Sequence, residues 1–426
     1  MVAIKILITN TNCSWNKGSE ALVLSTAFAF EKAYKNNIRF ILISSSYEFD
    51  LESAKNVGDV DLHICGYPVN ESRHRFIRYM CNYAFCILLS VIQRFLFLNK
   101  VKLNERFLRA YNEADLVVDL SGDTLADHPG LNGIALLNLL AFCPALILKK
   151  PYVVYSQSIG PFKWYSKPLV SFFLRKAKAV LLREKISLEV FRSLGVKNDN
   201  VFLQADCAFA LEPALPDRVA EIWKLEGLKK VNKPFVGMAV SRLMESLDNN
   251  YVSFMAELAD YIIEELKVKL IFIPHVASPR GHGFDSDARD TQKKVFERLA
   301  NKSEAVLVNG DYGARELKGL IGLCDLFVSS YMHAGIAALS SAVPTVVLGW
   351  SHKYKGIMAM VGMDNFVFDY KSHNSEQIAI AVKQMWENRA DVRLALVEKA
   401  DFARKSALEA AEIVRQVLEK EGVLLG

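Results

Sequence analysis

No CxxC pair occurs among the seven cysteines at 13, 65, 81, 86, 143, 207 and 324; their number is odd, and most lie in apolar runs. That usage fits reduced core thiols of a cytoplasmic protein. The N-terminus enters the strand-like run VAIKILI at once, with no charged region, apolar stretch and small-residue cleavage site, so no secretion signal is expected. Neither sign of charge dominates: a net +5 is spread over 426 residues, with Lys and Arg interspersed among Asp and Glu, which sets nucleic acid aside as a partner. The sequence also lacks a Walker lysine loop, a GxGxxG after its first strand and a GxSxG elbow. ATPase, dinucleotide dehydrogenase and α/β-hydrolase chemistry lose their usual markers.

What is present is a folded globular chain, 51% hydrophobic and 23% charged, too long for one ordinary core. Short β-branched runs alternate with helical patterns, the mark of parallel sheets with crossover helices. The expected strands are 5–10, 39–44, 116–120, 152–156, 179–183 and 201–204, then 235–240, 270–274, 305–308, 326–329, 345–348 and 366–368, with two helices after about residue 375. Pro213 and Pro216 interrupt the rhythm near residues 210–217. The expectation is therefore two Rossmann-like doubly wound α/β domains facing a cleft, 1–212 and 213–426.

Residues 73–109 depart from this rhythm, placing an apolar, aromatic run between clusters of Arg and Lys. Asn82, Ser90, Gln93 and Arg94 argue against a membrane span. A buried crossover helix with basic ends is favoured, and an interfacial helix near anionic lipids stays open. Residues 131–148 are apolar all round and read as a buried crossover helix.

Ligands of open α/β sheets bind beyond the carboxyl ends of the strands, which makes the polar residues there the candidates. In the first half these include Asn16, Glu20, Asp123 and Gln157; in the second, Arg242, His275, the turn of Ser330, Tyr331 and Met332, and Lys353 and Lys355. The sharpest constellation is LFVSSYMHAGIAAL at 326–339, a strand passing through a polar turn into a small-residue helix with His333 at its start. The positive end of that helix favours a phosphate or carboxylate, and an imidazole there can exchange protons near neutral pH. Arg242, just past the first strand of the same half, offers a fork for the same anion, and an ion pair is its other use. Asp119 and Asp123 bracket a Ser-Gly turn, where a carboxylate can act as general base or simply serve the turn. Asp285 and Asp287 lack spaced His or Glu companions, so no metal site is expected.

The ordered series NKGSEA (16–21), SQSIGP (156–161), RE (183–184) with Ser187, DCAF (206–209), SYMHA (330–334), AVPT (342–345) and HK (352–353) with Gly356 resembles the polysaccharide pyruvyl transferases over nearly the whole chain. The resemblance implies a GT-B-like fold and transfer of pyruvate from phosphoenolpyruvate, as co-substrate and without a cofactor, to a sugar of a cell-surface polysaccharide or its lipid-linked precursor. It implies His333 as general acid and a donor site at the second domain, with acceptor contacts from Asn16, Glu20, Gln157 and His275. Tyr331 stands where that family commonly has Arg, so Lys353 or Lys355 takes over its charge, the donor differs, or activity is lost. Ser19 and Ser121 also depart from the common Asp and Gly. A nucleotide-sugar glycosyltransferase of the same fold and a non-catalytic carbohydrate-binding relative are the competing readings.

Overall fold

The computed structural model describes residues 3–11, 14–35, 38–44, 46–47, 50–51, 60–66, 75–95, 106–127, 135–228, 233–277, 287–349 and 352–423. The chain divides into two compact units: residues 1–14, 23–206 and 407–426 form the first, and 15–22 with 207–406 the second.

In the first unit, seven parallel strands run β1 (Ile4–Thr9), β2 (Ile38–Ser44), β3 (Leu62–Gly66), β4 (Leu116–Asp119), β5 (Tyr152–Gln157), β6 (Ala179–Leu182) and β7 (Val201–Leu203). Their order is β3-β2-β1-β4-β5-β6-β7, so the winding reverses between β1 and β4. The apolar runs of β4, β5 and β6 are buried throughout, as strands covered on both faces require. β3 escaped the sequence reading because His63 and Gly66 break its apolar run, and only Cys65 of its five residues is buried. Residues 131–148 were expected to form one helix. Among the described residues that segment is instead a short helix Ala135–Asn138, a 3₁₀ turn Leu139–Ala141 and a second helix Phe142–Ile147.

The second unit repeats the plan with β8 (Phe235–Ala239), β9 (Lys269–Phe272), β10 (Ala305–Leu307), β11 (Leu326–Ser329), β12 (Thr345–Gly349) and β13 (Val367–Asp369), in the order β10-β9-β8-β11-β12-β13. Its winding reverses between β8 and β11. The helices Ser375–Glu387 and Arg389–Lys420 close the chain, and the latter passes from the second unit to the first at Ala407. The expected division at 212/213 therefore needs two amendments. The junction falls at Asp206 and Cys207, and both 15–22 and the last twenty residues belong to the opposite unit.

No helix among the described residues is long and apolar enough to cross a membrane.

Candidate functional site

The reversal of winding in the second sheet opens a space at the carboxyl ends of β8 and β11, where a doubly wound sheet presents its loops to ligands. Ser241 and Arg242 follow β8, His275 follows β9, the turn Ser330-Tyr331 follows β11, and Lys353 lies beyond β12. The helix Met332–Leu339 begins at this edge with Tyr331 as its N-cap, and no side chain of that cap accepts from the first turn. Its positive end is thus available to an anion. His333, in the first turn, is partly exposed, whereas Met332 and Ser330 are buried.

Hydrogen bonds tie the loops together. The Tyr331 hydroxyl accepts from the Arg242 backbone N–H at 3.1 Å, and the Tyr251 hydroxyl accepts from the Ser241 N–H at 3.0 Å while donating to Ser330 Oγ at 2.7 Å. Burial pushes the Tyr331 phenol up to about 12, so it stays a neutral hydroxyl. Tyr331 is therefore a latch between the loops after β8 and β11, and it carries no charge to an anion. The Arg242 guanidinium meets Glu245 at 2.8 Å. Burial would raise the Glu245 carboxyl, yet Lys294, Thr291 and Arg242 together hold it at about 2.

Lys353 and Lys355 separate clearly. Two positions apart on the helix His352–Ala359, they point nearly opposite ways: Lys353 is buried and Lys355 exposed. Burial pulls the Lys353 ammonium down to about 7. Its neighbour Tyr354 donates a long, 3.4 Å hydrogen bond to the Ser330 carbonyl, which fixes this helix against the β11 turn. Lys355 does not join the buried group.

Asn16 and Glu20 were expected beside the first sheet, but they lie in the second unit. The chain at Trp15–Lys17 pairs with residues 275–277: Lys17 N–H donates to the His275 carbonyl and Ala277 N–H to the Trp15 carbonyl, both at 3.0 Å, around an antiparallel bridge of Asn16 with Val276. Asn16 Oδ1 accepts from the Gly18 N–H at 3.1 Å at the start of the helix Lys17–Ala33. Glu20 pairs with the buried Lys17 at 3.0 Å and accepts from Ala314 N–H at 3.1 Å, supplying a carboxylate to the start of the helix Ala314–Gly322. This segment brings Gly18 against His333, so that a Cβ on Gly18 would lie 2.8 Å from His333 Cγ and closer still to Nδ1. Asn16 and Glu20 thereby shape the ground on which His333 rests.

His275 is buried, with its ring centroid 6.1 Å from that of Tyr331, and neither ring nitrogen meets a partner among the described residues. Burial, then the nearby His333 and Lys17, pull its imidazole down to about 3. It is neutral at physiological pH and able to offer one donor and one acceptor.

The first unit holds a separate polar cluster where its own winding reverses. Asp119, closing β4, accepts from Asn10 Nδ2 and Gln157 Nε2, each at 2.7 Å, and the Ser121 hydroxyl faces both Asp119 at 3.1 Å and Gln157 Oε1 at 2.8 Å. Gln157 is fully buried and both ends of its amide are used here, so it positions Asp119 rather than reaching a ligand. Burial pushes the Asp119 carboxyl up to about 7, against the pull of the Asn10 and Ser121 hydrogen bonds. Asp123 stands in the next turn, partly exposed, its N–H donating to the Ser121 carbonyl at 2.8 Å. Burial thus brings the Asp119 proton near neutrality. The available signal was the position of Asp119 as an acid closing an otherwise apolar strand.

Two motifs act as braces. Arg183 reaches Asp206 at 2.6 Å and Ser158 Oγ at 2.8 Å, all buried, and Ser187 Oγ accepts from the Ile159 N–H at 2.8 Å. Asp287 accepts from the backbone N–H of Arg289 at 2.9 Å and pairs with its side chain at 2.6 Å; Asp285 lies outside the described residues.

The chain resembles the UDP-GlcNAc 2-epimerase of Neisseria meningitidis, whose structure was solved with UDP-GlcNAc, at 11% identity and a TM-score of 0.62, covering 99% of this chain and all of that one. It resembles HepE of Anabaena, solved with UDP and glucose, at 13% identity and a TM-score of 0.59, with coverage of 99% and 100%. These likenesses establish the GT-B-like fold. In sequence it is 22% identical over 306 residues to the amylovoran biosynthesis protein AmsJ of Erwinia amylovora, spanning 68% of this chain and 69% of that protein. The model of the polysaccharide pyruvyl transferase family matches residues 16–352, from the Asn16 cap through the His333 turn to the helix that carries Lys353. By that match, and by the ordered motifs that build the second unit's site, the chain is a transferase belonging to the polysaccharide pyruvyl transferase family.

Proposed function

We propose that this protein transfers the pyruvyl group of phosphoenolpyruvate to two hydroxyls of one sugar, in a cell-surface polysaccharide or its lipid-linked precursor, forming a cyclic ketal. The observation that supports this most is the convergence of His333, the open start of its helix, Arg242 and buried Lys353 at one edge of the second sheet. Phosphoenolpyruvate carries a phosphate and a carboxylate close together, and such an edge suits both.

In the proposed course, His333 gives a proton to the methylene carbon of phosphoenolpyruvate, leaving positive charge on the carbon that bears the phosphate and carboxylate. A sugar hydroxyl adds there and loses its proton to a base, with Asp123 and Asp119 as the candidates. The C–O bond to phosphate breaks with its electron pair, and a second hydroxyl of the sugar closes the ring as its proton departs. The balance is one phosphoenolpyruvate and one diol giving one ketal and one inorganic phosphate. Ser330, Tyr331 and Met332 line the donor in this scheme, and Asn16, Glu20 and His275 set the floor beside it.

The test is titration of phosphoenolpyruvate into the wild type, His333→Ala and Arg242→Ala, followed by phosphate release with candidate sugars. His333→Ala should still bind and fail to turn over. Arg242→Ala should bind about tenfold or more weakly, since a charged hydrogen-bonding partner is worth roughly 1.5–3 kcal/mol. Absence of wild-type binding, with stabilisation by a nucleotide sugar instead, would replace this reading by that of a glycosyltransferase.

A further inference from the structure

Two long stretches of the first unit carry no acidic residue. Residues 128–183 contain eight Lys or Arg and no Asp or Glu, although the chain's 47 acids would place about six there, and residues 72–104 are likewise free of acid. The fold puts a described helix from each stretch in one layer. The helix Arg75–Phe95 leads from β3 to β4, and the helix Lys167–Lys176 from β5 to β6. Both crossovers run in the same direction across the sheet, so right-handedness places both helices on the same face. Their inner sides join one core, with Tyr83 and Cys86 from the first and Val170, Phe173 and Leu174 from the second.

Their outer sides are apolar as well. Trp164 is 83% exposed, and Tyr165, Leu169 and Phe172 are exposed with it; on the other helix Phe85 and Leu88 face solvent. Lys163, Lys167, Arg175 and Lys176 surround the first group, all exposed. The Trp164 turn is held firmly: buried Asp127 accepts from the Lys163 N–H at 2.9 Å and from the Ser166 hydroxyl. Trp164 and Tyr165 meet edge to face at 5.8 Å. A protruding Trp-Tyr pair on a braced turn, next to Leu and Phe and ringed by cations, has the chemistry of a bilayer interface.

We propose that this face docks on an anionic lipid surface, with Trp164 and Tyr165 entering the headgroup region and Lys163, Lys167, Arg175 and Lys176 meeting lipid phosphates. The helix Arg75–Phe95 extends the surface, so the interfacial reading of that segment gains a second and better anchored element. The proposal is independent of the donor chemistry, and its test requires no substrate.

The full chain is sedimented with vesicles of phosphatidylcholine alone and of phosphatidylcholine mixed with phosphatidylglycerol, while tryptophan emission is followed. Binding to the mixed vesicles only, weakened by high salt, with a blue shift that Trp164→Phe abolishes, is the expected result. Lys163→Gln with Lys167→Gln should weaken binding roughly 25-fold, about fivefold per charge, and Trp164→Ser with Phe172→Ser by roughly tenfold or more. These exposed substitutions should leave the melting temperature unchanged. Absence of wild-type binding, equal binding by the wild type and both double variants, or a lipid-free dimer that shields Trp164 would each overturn the proposal.

Discussion

Gly18→Ala is the sharpest probe of how this site is built. The added methyl would lie 2.8 Å from His333 Cγ and 3.0 Å from its Cβ, where ordinary contact begins near 3.4 Å. Either the imidazole or the segment carrying Gly18 must retreat by roughly 0.5–1 Å, and displacement of a catalytic group by about 1 Å can cost on the order of 100-fold in rate. Stability should respond far less. Gly18 is the second residue of the helix Lys17–Ala33, where Ala is intrinsically better than Gly by up to about 1 kcal/mol, offsetting much of an overpacking cost of roughly 1–3 kcal/mol. The expected outcome is a fall in kcat of roughly 30- to 100-fold for ketal formation, a melting temperature within a few degrees of wild type, and shifted His333 ring resonances in the NMR spectrum. Wild-type turnover together with unmoved His333 resonances would refute the claim that Gly18 seats this histidine.

Three further predictions concern charge. Asp119 titrates near 7 when folded and near 3.8 otherwise, so the folded state holds its proton between about pH 4 and 7 while the unfolded chain does not; stability should fall as pH rises through that window, by up to roughly 4 kcal/mol, and Asp119→Asn should abolish this slope in urea unfolding measured from pH 4.5 to 7.5. Lys353 titrates near 7 when buried, so phosphoenolpyruvate affinity should decline as pH rises from 6 to 8, and Lys353→Met should bind more weakly at pH 6 and show a flatter profile in calorimetric titration. Asp206→Ala leaves the Arg183 guanidinium buried without its carboxylate and should cost about 3–5 kcal/mol in denaturant unfolding; a loss below about 1 kcal/mol would show that the pair is not a brace.

Strands and sheet class were legible because their signals are local. The runs at β1, β4, β8 and β11 carry their own periodicity, and twelve of the thirteen described strands appear near the expected positions. Among the described strands, β3, interrupted by His63 and Gly66, lacked that mark. The His333 turn was legible for the same reason: an apolar strand, a polar turn and a small-residue helix follow one another without a break.

The sequence by itself thus determined two doubly wound units, the strand-end location of the polar residues and the family to which they belong. Tertiary structure alone decided what each of those residues does. It carried 15–22 into the second unit through backbone bonds to 275–277, set Lys353 inward and Lys355 outward, made Tyr331 a latch for Arg242, and confined Gln157 to the service of Asp119. The partners in these pairings lie between 38 and about 260 positions apart, apart from the lysines, whose facing depends on what packs against their helix. No local pattern encodes such meetings, because they arise only when separate strands have been laid side by side and burial has settled which polar groups remain paired, neutral or charged.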